Sequence, residues 1–159
     1  MKTFEEMAKE FEEEMDDVNP WVDYVQHWQD TFEQKRHLTT YDSIYNLLLH
    51  RGELVIEETT EFKAALVAIV TRMAAGKDAS PKQWAELLDA IVDSIWVLIG
   101  TANALGFDLT NAFEEVWRSN LSKLGEDGKP IYDKNGKVAK GPNFFKPELR
   151  PFLGQFKEN

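Results

Sequence analysis

The chain has 159 residues, 43% of them hydrophobic and 12% aromatic, enough apolar material for one compact core and too much for a disordered chain. Its 18 Lys and Arg against 28 Asp and Glu leave a net charge of −10, which repels a phosphate backbone and argues against nucleic acid as a partner. The absence of cysteine removes disulfides, thiolate zinc sites and Cys nucleophiles, so any metal must be held by oxygen or imidazole.

In chain order, Phe4, Met7, Ala8, Phe11 and Met15 recur at helical spacing among glutamates and predict an acidic amphipathic helix over residues 4–15. Asn19 and Pro20 make a cap and first-turn proline, and Trp21, Val25, Trp28 and Phe32 continue as the stripe of a second helix. A long helical pattern opens at Tyr41 or Asp42 and runs through Leu47, Val55, Phe62 and Ile69 to Met73, with Gly52 as an expected break or bend. After a loop over residues 74–79, Ser80-Pro81-Lys82-Gln83 is the strongest helix start in the chain. The helix it opens is apolar at its centre, from Ile91 to Ile99, so it belongs in the middle of a bundle and ends at Gly106. Asp108 caps a last helix through Phe113, Val116 and Leu121 that stops near Gly125. Asn135-Gly136 then signals a small hairpin, and a proline-punctuated tail reads as a wrap or lid. The expected architecture is all-α: a helical bundle of about five helices with a small β-hairpin and an extended C-terminal tail. It forms one domain over residues 1–159, with the core at about 42–124 and the hairpin and tail at 125–159. No segment approaches the roughly 18 consecutive apolar residues of a membrane span, and the acidic N-terminus lacks a signal core, so a cytoplasmic protein without a membrane partner is expected.

Within this pattern two groups of acids stand out. Glu58 and Glu61 share a helix face, with Glu57 beside them, and Glu86, Asp89 and Asp93 form a stripe on the most apolar helix. Like charges at these spacings destabilise a helix, and desolvating an unpaired carboxylate costs several kcal/mol, so a cation is needed to hold them. Lys63, Arg72 and Lys82 lie near these helices, but no basic residue stands one turn from Asp93. Two antiparallel helices can turn the acidic faces towards each other, and a set of carboxylates without a soft ligand favours Mg²⁺ or Mn²⁺. The competing reading is a solvated acidic face, which is the better one for Glu57 alone. His27, His37 and His50 form no metal-binding spacing.

Glu57-Glu58-Thr59-Thr60-Glu61, followed by Glu86-Leu87-Leu88-Asp89 and Asp93, resembles the EExxE and ExxD metal motifs of the MazG-like all-α nucleoside triphosphate pyrophosphohydrolases. The run from Ala104 to Leu109, then Glu115 to Lys123, and the segment Lys140-Gly141-Pro142-Asn143-Phe144 resemble the phosphoribosyl-ATP-pyrophosphohydrolase-like and phage-type branch of that superfamily. The resemblance covers about residues 42–149. One departure is that Asp93 aligns with the ExxD aspartate, which puts Ala90 where glutamate is usual. Asp89 then substitutes as a ligand, or Glu86 to Asp89 is the motif in a shifted register.

The resemblance implies cleavage of a nucleoside triphosphate between the α and β phosphates, giving the monophosphate and pyrophosphate. It implies Mg²⁺, with Mn²⁺ as a substitute, on Glu58, Glu61 and Asp93, then Asp89 and Glu86, with Glu57 orienting or deprotonating the water. Asn120, Lys123 and Arg118 would meet the phosphates or sugar, and Lys140 would close from the tail. For Arg118 a surface pair with Glu114 or Glu115 is the equal alternative. The base would stack on Trp28, with Trp96 and Phe32 as other candidates, although such a stripe is more often core; Gln26 and Gln29 would read base edges. A homodimer or homotetramer is expected from the resemblance and from ten Phe, five Trp and four Tyr to bury. The substrate would be a canonical or modified deoxynucleotide in pool sanitation or precursor supply, in the host cytoplasm if the chain is phage-encoded. The alternatives are phosphoribosyl-ATP hydrolysis and a noncatalytic acidic helical interaction module.

Overall fold

The structure is a computed structural model that describes residues 20–34 and 40–157. The amphipathic helix expected over residues 4–15 lies outside them. Four α-helices are present among the described residues: α1 (Pro20–Thr31), α2 (Tyr41–Ala74), α3 (Pro81–Leu105) and α4 (Leu109–Leu121). The chain divides into two compact units, Met1–Leu105 and Gly106–Asn159, so the expected core segment at about 42–124 runs across both.

In the first unit the local chemistry sets the helix boundaries. The Thr40 hydroxyl accepts from the Ser43 amide at 3.3 Å and caps α2. At the start of α3 the Gln83 amide donates to the Ser80 hydroxyl at 3.3 Å, and the Ser80 amide donates to Gln83 Oε1 at 3.0 Å. This reciprocal pair is a capping box, as the spacing predicted. Helix α2 runs unbroken through Gly52, against expectation: an interior glycine costs a helix only about 1 kcal/mol, little beside 34 residues of continuous hydrogen bonding. Helix α3 packs against both α1 and α2, the central place expected of the most apolar helix. Its approach to them uses small residues, with Ala90, Gly100, Ala102 and Ala104 all buried.

The α2–α3 pair is antiparallel about the short loop over residues 75–80. Its register shows in two places: Arg51 lies against Gly100, and Glu58 feels the charge of Asp93. Seven residues separate the two levels on each helix, about 11 Å along the axis.

The second unit begins where α3 stops. Gly106 takes a positive φ of 73°, which ends a helix at little cost for glycine alone. The Asp108 carboxylate accepts from the Asn111 amide at 3.2 Å and caps α4 as expected. The tail then runs back along α4 as a strap. Ser119 Oγ donates to the Phe145 carbonyl at 2.8 Å, and the Glu148 amide donates to Glu115 Oε1 at 3.1 Å. Near the end of the strap the Asp108 amide donates to the Phe152 carbonyl at 3.0 Å. Gly154 closes it, because a Cβ there would collide with the Gly106 carbonyl oxygen.

The small β-hairpin is not formed as expected. The turn is where Asn135-Gly136 predicted it, with Gly136 at φ 77°, yet the arms meet only in one isolated bridge between Tyr132 and Val138. No strand occurs among the described residues. Asp133 Oδ1 takes the amides of Asn135 at 2.8 Å and Lys137 at 3.0 Å, so the side chain organises the turn locally. Pro130 and Pro142 bracket the arms and prevent a longer ladder.

Candidate active site

The antiparallel register brings five acids into one electrostatic neighbourhood on the first unit: Glu57, Glu58 and Glu61 from α2 with Asp89 and Asp93 from α3. Glu58 and Asp93 are half-buried, and the other three are exposed. The Glu58 carboxyl is held above the ordinary 4.5, first by partial loss of solvation, then by the charges of Asp93, Glu61, Glu57 and Asp89. The four charges that raise it are all negative. Glu86 is not part of this field; it faces Lys82 in an exposed pair at 3.6 Å. The carboxylates oppose one another without converging: among the described residues no group of three or more His, Asp or Glu side chains stands in a metal-ligating arrangement. Their donor chemistry fits a hard divalent cation, whose charge would relieve the field at Glu58.

Trp28 sits in an aromatic group, 4.9 Å from the Phe32 ring and edge-on to Trp96 at 6.0 Å, and 37% of its surface stays exposed. Gln29 is fully buried, and its Nε2 donates to the Gly100 carbonyl at 2.9 Å.

In the second unit Lys123 Nζ donates to Asn120 Oδ1 at 2.6 Å, which makes these two donors one polar pair. Arg118 has the surface pairing anticipated for it, with Glu115 at 3.6 Å. Lys140 lies over the Phe144 ring at 4.4 Å, a cation–π contact within the strap.

The family model for phosphoribosyl-ATP pyrophosphohydrolase matches residues 25–120, taking in all of α2 and α3 and most of α1 and α4. The chain belongs to that family. No curated protein matches it. Membership places this pyrophosphohydrolase among hydrolases of phosphoric anhydride bonds and sets aside the noncatalytic module. Among the described residues no single helix is long and apolar enough to cross a membrane.

Sequence reasoning missed Arg51 and Asn103 in this pyrophosphohydrolase. Both are buried, although each stands in an apolar run, Leu47 to Leu49 before Arg51 and Ala102 to Leu105 around Asn103. The available signal was spacing: Arg51 is seven residues before Glu58 and therefore on the same helix face.

Proposed function

We propose that this chain hydrolyses a canonical or modified deoxynucleoside triphosphate between its α and β phosphates, releasing the monophosphate and pyrophosphate, in nucleotide pool control in the cytoplasm, the host's if the chain is phage-encoded. The observation that carries the reading is the family match over residues 25–120, with acids of α2 and α3 placed at one level of the seam so that both helices act on Glu58. Glu58, Glu61, Asp93 and Asp89 are the residues that would hold Mg²⁺ or Mn²⁺; Glu86 joins them only by leaving Lys82. Such a cation, when bound, neutralises charge on the phosphates and lowers the pKa of water.

The side chains supply the rest. Glu57, exposed beside Glu58, orients the attacking water and accepts its proton. Asn120 and Lys123 donate to phosphate or sugar oxygens, with Arg118 and Lys140 as further donors once they leave Glu115 and Phe144. Trp28 offers its exposed ring surface to the base.

A second copy of the chain is the proposed cover for apolar surface on the first unit. Tyr45, Leu49, Ile56, Val67 and Val70 line the face of α2 opposite Glu58, and all are exposed. Trp84, Leu88, Ile91 and Ile95 do the same on α3. A homodimer or homotetramer is expected by light scattering.

Phosphoribosyl-ATP is the second reading, favoured by the name of the matched family. A panel of the eight common NTPs and dNTPs with phosphoribosyl-ATP, each with Mg²⁺, Mn²⁺ or EDTA, tests both. Pyrophosphate with a monophosphate from one dNTP, lost in EDTA, supports the first; turnover of phosphoribosyl-ATP alone replaces it with the second.

A further inference from the structure

Where α1, α2 and α3 meet at Gly100, Gln29 at 0% exposure and Arg51 at 8% are polar side chains at least nine-tenths buried, and so is Asn103 at 7%, further along α3. Arg51 comes from α2 and Gln29 from α1, and both lie against Gly100 of α3. A Cβ on Gly100 would stand 3.3 Å from Arg51 Nη1 and 3.4 Å from Gln29 Nε2. Asn103 follows one turn later on α3. The Gln29 amide nitrogen is satisfied by the Gly100 carbonyl. Among the described residues Gln29 Oε1, Arg51 Nε and Asn103 Nδ2 have no hydrogen-bond partner. No ion pair reaches Arg51 among the described residues, and burial lowers its pKa with no acid opposing the shift.

A guanidinium stays protonated at any working pH, so it cannot escape burial by losing its proton. An uncompensated buried charge is among the costliest features a core can carry, and it persists where an anion completes it. We propose that the junction of Gln29, Arg51 and Asn103 is an oxyanion-binding site that takes the phosphate group of a small molecule.

The orphaned atoms select the chemistry. Arg51 Nε and Asn103 Nδ2 are donors, whereas Gln29 Oε1 is an acceptor. A singly protonated phosphate matches all three, with oxygens for the two donors and a P–OH for the glutamine. Sulfate and a carboxylate offer only acceptors and leave Gln29 Oε1 unmet. The small exposed remainders of Arg51 and Asn103 give the approach, while Gln29 is fully buried. The site is separate from the acidic level two turns away, and the inference does not depend on a metal binding there.

The test uses the full chain in EDTA near neutral pH, with inorganic phosphate as the probe and sodium chloride and sulfate at matched ionic strength as controls. Phosphate should raise Tm by about 3 °C or more at saturation, beyond sulfate. In Arg51→Met the excess over sulfate should vanish, leaving only the general stabilisation that both salts give by exclusion from the surface. Without phosphate, R51M should melt no lower than the wild type, because an apolar side chain of similar length removes the unpaired charge. If R51M does not fold, equilibrium dialysis of labelled phosphate against the wild type decides, one phosphate per chain being expected. A nucleoside monophosphate that binds more tightly than inorganic phosphate assigns the site to a nucleotide; equal binding assigns it to free phosphate. No phosphate-specific shift or binding in the wild type, an undiminished shift in R51M, or an R51M that melts well below the wild type would each overturn the proposal, the last by showing that Arg51 already has a counter-ion.

Discussion

The two levels of the α2–α3 seam carry uncompensated charge of opposite sign and treat it differently. At the Glu58–Asp93 level the acids are half-buried or exposed, and solvent keeps their mutual repulsion tolerable. At the Arg51–Gly100 level the guanidinium is enclosed by three helices, and water gives it little relief. The first level therefore keeps its charges in contact with solvent. The second is a structural liability unless its charge is met. The contrast shows that burial decides what a charge of either sign demands of its surroundings.

The largest expected effect breaks the acidic level. Asp93→Asn and Glu58→Gln should each lower turnover more than about 100-fold with helicity unchanged by circular dichroism. Normal hydrolysis by either variant would remove the acids from the site. Next comes the buried level: Gln29→Ala deletes the bond to Gly100 and opens a cavity, with an expected loss of about 2 kcal/mol in urea unfolding. A loss no larger than that of an exposed substitution on α1 would show that the junction is not tightly packed.

A subtler outcome separates the two levels by pH. Because the Glu58 pKa is raised in the folded state, its ionised form is disfavoured there, and native stability falls as pH rises from 4.5 through the raised value. In EDTA, Glu58→Gln should therefore melt above the wild type at neutral pH, and the advantage should fade as pH drops towards 4.5. With Mg²⁺ the order should reverse, since only the wild type gains from linkage to the cation. A Glu58→Gln chain that melts below the wild type in EDTA would mean that Glu58 has a stabilising partner. Smallest is Glu86→Gln: its exposed pair with Lys82 should be worth under about 0.5 kcal/mol, and turnover should stay within a factor of two. A large loss of activity there would restore Glu86 to the acidic group.

Signals that act within one turn of chain were legible in the sequence. The Ser80–Gln83 box, the Asp108 cap and the Gly106 stop all formed as read, since each is completed by residues three or four apart. So did the shared face of Glu58 and Glu61, which helix periodicity dictates. The hairpin was over-read because a turn signature fixes a turn and says nothing about whether its arms find a ladder. The break at Gly52 was over-read for a related reason: one residue's propensity is small beside the cooperativity of a long helix. Arg51 and Asn103 were passed over because a single polar residue in an apolar run looks alike whether it points to solvent or into a three-helix junction.

By itself, then, the sequence determined the four helices of the described residues, the starts of α2, α3 and α4 and the pattern of acids on α2 and α3, because these follow from local hydrogen bonding and a fixed helical period. Only the tertiary structure decided that Asp93 and Asp89 act on Glu58 while Glu86 does not, and that Arg51 is enclosed without a counter-ion among the described residues. Those facts depend on the register of one helix against another, which is set by packing summed over many side chains and written at no single position.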